Sequence, residues 1–269
     1  MNRISTSFHQ SFSISLPAVS KVIKFSSTLD NQNIFTGLKN TDLGNNYIKS
    51  MPRYAVGAGL IKDRSYKQTA LGKKVVEQDP HLSRRETLWL MHYHLSAPLG
   101  PGPLFWHFLV TNFLAPGATL EPGFLNGTLN SFLETNIGKR LAPRTVRTLI
   151  TIFSGSYCKI DGFGRLGILA EQGGQLMVLE PEPPPTYAVG FALADYWESV
   201  WGNCGAINLE EIYHPGGLAT ILFLNRYKMN KCLRDLQTAG LLELWQVAPP
   251  YQLVKHWSSK EDFLERLYV

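Results

Sequence analysis

Cysteine is scarce in this 269-residue sequence, and Cys158, Cys204 and Cys232 stand far apart and odd in number. No CxxC pair and no Cys/His finger spacing exists, which excludes a disulfide framework and a structural zinc module. The three are expected as small buried apolar residues in a reducing compartment. Long apolar runs are missing too. The most apolar stretch, Pro103 to Phe113, is interrupted by His107, Thr111 and Asn112, and it falls well short of the roughly 20 residues that span a bilayer. The N-terminus alternates polar and apolar residues without a continuous apolar segment, so no secretory signal and no membrane partner are expected, and the cytoplasm is the default location. Charge is sparse at 17% Asp, Glu, Lys and Arg, with a net +5. That balance permits a polyanionic partner without requiring one, so the placement of the cations matters more than their sum.

Nucleotide and catalytic motifs are missing as well. There is no P-loop, no GxSxG and no HExxH. Gly162 to Gly167 matches GxGxxG, but a dinucleotide site needs a strand before it and a helix opening on it, and here a hairpin pattern follows, Ile168 to Ala170 and Leu176 to Leu179. His92 and His94, with His81 and His107 nearby, invite a metal site. Glu86 to Leu95 reads as a helix, however, which would point His92 and His94 about 200° apart, and no acid stands at ligand spacing beside them. They are expected as core or hydrogen-bonding histidines. No catalytic residue, metal or cofactor is assigned, and the chain is not expected to be an enzyme.

What is present is a well-filled interior: 44% hydrophobic and 12% aromatic residues exclude a disordered tail and allow two or three modules. Three regions separate: 1–78, 79–185 and 186–269. Glu180 to Pro185 forms a stiff connector before the last, because each proline fixes its own φ and restricts the residue before it. In the last region Tyr187 to Trp201 reads as a helix and Leu209 to Tyr213 as a short one. Leu218 to Leu224 fits a buried helix or a strand. In Asn225 to Leu242, Met229, Cys232, Leu233 and Leu236 share one helix side while Tyr227, Lys231, Arg234 and Thr238 share the other, with Gly240 placed to end it. Glu243 to Val247 and Tyr251 to Val254, around Pro249-Pro250, read as a ribbon, and Ser258 with Glu261 as a capping box opening a final helix. Helix, helix and ribbon in this order form a winged helix-turn-helix pattern.

The first region offers a second copy. Pro17 to Ser26 and Asn33 to Lys39 are short helices. Gly44 to Leu60 is the recognition helix, with Ile48, Met51 and Ala55 inward and Asn46, Lys49, Ser50 and Arg53 outward. Ile61 to Thr69 is a basic wing, and a further helix starts at Leu71. Pro52 removes a backbone hydrogen bond and clashes with the preceding turn, so this helix is expected to kink or start late. The fold class is therefore mainly α with small β-ribbons, two winged helix-turn-helix modules flanking a helical middle region with a hairpin.

A recognition helix in the major groove needs an apolar inner stripe and an outer face of long cationic and amide side chains. Both candidates have one. Lys49, Arg53, Lys62, Arg64, Lys67, Lys73 and Lys74 stand against Asp63 alone, and Arg226, Lys228, Lys231 and Arg234 stand together with no acid among them. The cations suit phosphates, giving salt-dependent binding. Asn45, Asn46, Tyr227 and Asn230 suit base or sugar contacts. Solvated helix faces or protein-docking modules would carry the same pattern.

Phe8-His9-Gln10-Ser11-Phe12, Leu43 to Lys49, Thr69 to Gly72, Asp79-Pro80-His81-Leu82, Thr87 to Tyr93, Arg144-Thr145-Val146 and Tyr187 to Trp197 together resemble an uncharacterised bacterial family filed as a domain of unknown function, over nearly the whole chain. Ser83 stands where that family usually has an acid, and Pro52 interrupts a segment usually continuous there. Its members are similar to proteins encoded beside PAPS-reductase-like genes in DNA-modification and anti-phage clusters. The resemblance implies a DNA-defence role without an established activity. Joined to the two basic helix faces, it gives the expectation of a double-stranded-DNA-binding accessory or sensing subunit, partnered by other subunits of such a complex. A plasmid replication initiator with two winged helices and a protein-interaction adaptor remain alternatives.

Overall fold

A computed structural model of the chain describes residues 6, 9–28, 33–138 and 140–269; Phe8 of the N-terminal motif lies outside them. The N-terminal region is helical. α1 (Leu16–Ser26) begins with a proline in its first turn, where the missing N–H costs nothing, and buries Val19, Val22 and Ile23. α2 (Ile34–Gly37) is capped by Asn33, whose side chain accepts from the Phe35 N–H, and runs into a 3₁₀ turn, Leu38–Asn40. α3 (Asn45–Gly57) follows. The chain then doubles back. Ile61 bridges Gln68 antiparallel, the Lys62 N–H donates to the Lys67 carbonyl at 2.8 Å, and Thr69 caps α4 (Ala70–Gln78) by accepting from the Gly72 N–H at 2.9 Å.

Two expectations for α3 need correction. The helix does not start late: it begins at Asn45, directly after Gly44, and runs through Pro52, which lies buried in its interior. Ser50, expected outside, is buried, and its hydroxyl donates to the Asn46 carbonyl at 2.8 Å. The reason is that α1, α2, the 38–40 turn and α5 (Arg85–Ser96) all pack on α3, so its buried arc is wide. Asn46, Lys49 and Arg53 share the remaining arc of about 60°.

The middle region consists of α5, α6 (Leu104–Phe113), β1 (Thr119–Leu120), α7 (Pro122–Ile137), α8 (Pro143–Cys158) and the hairpin β2 (Leu169–Gln172) and β3 (Gln175–Val178). β3 is central in an antiparallel sheet ordered β1-β3-β2, with Glu171 opposite Leu176. Every residue of α5 from Thr87 to Ser96 is buried, which makes this helix the centre of the molecule. The GxGxxG match lies on a 3₁₀ turn, Phe163–Leu166, that follows α8 and leads into the hairpin.

After the extended Glu180–Pro185 segment come α9 (Thr186–Val200), β4 (Ala206–Asn208), a 3₁₀ turn (Leu209–Tyr213), α10 (Leu218–Ile221), α11 (Arg226–Thr238), β5 (Leu242–Trp245), β6 (Gln252–Lys255) and a last 3₁₀ turn, Lys260–Phe263. The sheet is antiparallel, ordered β4-β6-β5, with Leu253 opposite both Ile207 and Leu244. The apolar segment after Gly217 resolves as a single helical turn. The Asn225 side chain caps α11 by accepting from the Lys228 N–H at 2.9 Å, and Gly240 leaves the region at φ 74°. The expected capping box of Ser258 with Glu261 is displaced by one residue. Asp262 reaches back to the Ser259 N–H, and the element it opens is 3₁₀.

Buried apolar residues from Ile14 to Leu267 form one contiguous core shared by all three regions. The motif residues around α5 serve it. Asp79, buried, accepts from the Ser83 and Arg84 N–H groups at 2.9 Å each and so fixes the loop entering α5. Tyr268 returns to the same helix, its hydroxyl 2.7 Å from Thr87 Oγ1 and its carbonyl accepting from Arg84. The cysteines are unbridged; Cys232 is buried and Cys158 half-buried, but Cys204 is exposed, contrary to expectation, because it follows the end of α9 in a surface turn. Among the described residues no helix is long and apolar enough to cross a membrane.

Candidate nucleic-acid interface

α11 presents the two faces its periodicity requires. Met229, Cys232, Leu233 and Leu236 are buried, while Tyr227, Lys231, Arg234 and Thr238 are exposed, Tyr227 to 74%. The cation cluster is free of acids only in sequence. The Arg226 guanidinium donates to both carboxylate oxygens of Glu210 at 2.7 Å and lies 4.2 Å from the centroid of the Tyr213 ring. The Lys228 ammonium donates to Glu180 in the proline connector. These two cations therefore tether α11 to the turn before it and to the connector. Asn230 is engaged as well, accepting from the Tyr213 hydroxyl at 2.7 Å. Lys231 and Arg234 make no ion pair among the described residues. The β5–β6 hairpin carries Trp245, Val247 and Tyr251 exposed near its tip, and no residue from Trp245 to Tyr251 is charged.

In the N-terminal region Asn45, Asn46 and Lys49 are exposed on α3 and Arg53 is half-buried. Lys62, Arg64 and Lys67 are exposed on the turn that follows. Arg64 and Tyr66 have φ of 65° and 52°, the left-handed backbone that tightens this turn, and the Tyr66 ring packs 5.4 Å from Phe35.

The histidines do not converge on a common point. His92 Nε2 lies 2.8 Å from the Ile221 carbonyl, which can only accept, so Nε2 carries the proton and Nδ1 accepts from the Tyr157 hydroxyl at 2.6 Å. Tyr157 in turn accepts from Trp106 Nε1 at 2.9 Å. Burial pushes the His92 pKa down to about 4, the direction this network requires. His107 contacts the Ser96 carbonyl and His81 is exposed. Among the described residues no three His, Cys, Asp or Glu side chains are grouped to hold a metal ion.

His94 differs. Its ring nitrogens are buried without hydrogen-bond partners, and Nδ1 is 3.9 Å from Asp195. Burial lowers its pKa. Burial alone would raise the Asp195 carboxyl, but His94, Lys260 and Tyr93 together hold it below the usual range. Lys260 bonds Asp195 at 2.7 Å and Glu198 at 3.1 Å. This group borders a cavity of about 580 Å³ between the 56–71 segment, the loop at Leu99 and α9, with Leu71, Leu99 and Phe191 as apolar wall. Sequence spacing gave no sign of it, since its residues come from four separate segments.

Comparison with known proteins adds the following. The family described as "Protein of unknown function (DUF4007)" matches residues 7–268. No curated protein matches the chain in sequence. Two solved structures, SspB and magnesium ion-bound SspB, match 97% of this chain and 86% of theirs, each with a TM-score of 0.78 at 16% identity. At that identity the likeness is one of fold.

Proposed function

We infer, for a chain that belongs to the DUF4007 family, that it binds double-stranded DNA as an accessory or sensing subunit of a bacterial DNA-modification or anti-phage system. The observation carrying this reading is the exposed face of α11, where Lys231 and Arg234 make no ion pair among the described residues and stand beside the exposed Tyr227. The order α9, β4, α10, α11, β5, β6 supports a winged helix-turn-helix reading, in which α11 would be the recognition helix and the hairpin the wing. The N-terminal order α1, α2, α3, basic turn, α4 supports a second module of the same plan. Under this reading Lys49, Lys62, Arg64, Lys67, Lys231 and Arg234 neutralise phosphates and Asn45, Asn46 and Tyr227 face bases or sugars, while Arg226 and Lys228 hold α11 in place.

The test is fluorescence anisotropy of a labelled duplex of arbitrary sequence at stepped salt. Each neutralised phosphate contributes about −0.9 to the slope of log affinity against log salt, so a slope steeper than about −3 is expected. Absence of binding at about 50 mM salt overturns the reading in favour of a protein-docking role.

A further inference from the structure

We propose that the groove between α8 and the loop at 9–13 is a further backbone site for double-stranded DNA, in which Arg144 and Arg147 each hold one of two successive phosphates. This rests on the DNA-binding reading above and adds a contact from the middle region, outside both helix faces.

The outer stripe of α8 runs Arg144, Arg147, Thr148, Thr151, the spacing of one helix side. Two adjoining cavities of about 340 Å³ each flank it, and both include Ser11, Arg144 and Thr148 in their walls. Among the described residues no carboxylate lines either one, in a chain with 21 Asp and Glu. Neither arginine makes an ion pair among the described residues. The Thr148 hydroxyl is used locally, donating to the Arg144 carbonyl, but Thr145, Thr151 and Ser11 add hydroxyls to the rim. Two planar guanidinium forks about 5–6 Å apart at their Cβ atoms, among hydroxyls and with no competing acid, suit adjacent phosphodiesters.

Helix electrostatics give these cations no stabilising role in α8. The first turn of α8 holds no acid, and a positive charge at Arg144 opposes the helix dipole. The loop that lines the groove also packs on α3. Ser11 lines the groove, and Phe12 next to it packs 5.3 Å from Tyr47 of α3 and accepts from the Tyr54 hydroxyl at its carbonyl. Asn46 and Lys49 are exposed on that same helix.

The experiment compares the full chain with its Arg144→Gln/Arg147→Gln variant, by anisotropy of a labelled duplex across salt and by thermal unfolding. The expected result is affinity weaker by on the order of tenfold or more, a salt slope shallower by about 2, and an unfolding midpoint unchanged or raised. Unchanged affinity and slope in a variant of a DNA-binding wild type overturn the α8 site and leave the α11 reading standing. Loss of binding accompanied by a lowered midpoint assigns the arginines to the fold and overturns it as well. A wild type that fails to bind removes both proposals.

Discussion

Arg226 grips Glu210 through two parallel bonds of 2.7 Å, so the first cation of α11 is a fastener between that helix and the 209–213 turn before it. The same contact holds the Glu210 carboxyl below its usual range. Both side chains are more than half exposed, and the pair is better regarded as a positional constraint than as a source of stability. Glu210→Gln removes the acid that occupies Arg226. Duplex affinity is then expected to rise, with the salt slope steeper by about 1, as one further phosphate is neutralised. A lower affinity would show that the tether, by setting the pose of α11, matters more than the freed charge.

His92 makes stability pH-dependent with a definite sign. Its folded pKa of about 4 lies below the unfolded value of 6.5, so between those limits the unfolded chain binds more protons and acidification favours unfolding. The contribution is complete above about pH 6.5 and is lost progressively toward pH 4. The loss from pH 7 to pH 5 is on the order of 2 kcal/mol from this residue, and His94, also lowered by burial, adds in the same direction. Urea unfolding at the two pH values measures it. The His92→Gln variant should lose about that much of the difference, and identical wild-type stability at both values would refute the neutral, doubly bonded imidazole.

Gly72 marks a close approach that no other residue tolerates. A Cβ built there would fall 1.9 Å from the Leu60 carbonyl oxygen, and backbone on both sides leaves little to give. Gly72→Ala is expected to cost about 1–3 kcal/mol as overpacking, despite the better helix propensity of alanine. Chemical denaturation checks this, and an unchanged midpoint would show that α4 can move away from the 60–69 turn without loss.

The C-terminal elements were legible because one face of each is wet. The alternation of Met229, Cys232, Leu233 and Leu236 against Tyr227, Lys231, Arg234 and Thr238 is the signature of a half-buried helix, and Asn225 and Gly240 end it with ordinary capping chemistry. α5 was readable as a helix, but its surroundings were not. Burial on every side removes the polar face from which orientation is read, so neither the His92–Tyr157–Trp106 chain nor the position of His94 beside Asp195 follows from spacing. Ser50 lies inside for a related reason: four elements cover α3, and its dry arc is wider than a single-sided stripe. The acids that neutralise Arg226 and Lys228 lie 16 and 48 residues away, beyond the reach of a local charge count. Tertiary pairing of this kind separates a cation cluster in sequence from a cationic surface.

The central claim is that α11 meets duplex DNA through Lys231 and Arg234, and charge reversal at both positions tests it most directly. Both residues are exposed and make no ion pair among the described residues, so Lys231→Glu/Arg234→Glu should leave the fold intact, as circular dichroism and the unfolding midpoint would report. Duplex affinity of this variant, measured across salt beside the wild type, should fall at least tenfold at low salt, and its slope should be shallower by about 2. Affinity and slope equal to those of a DNA-binding wild type would contradict the account.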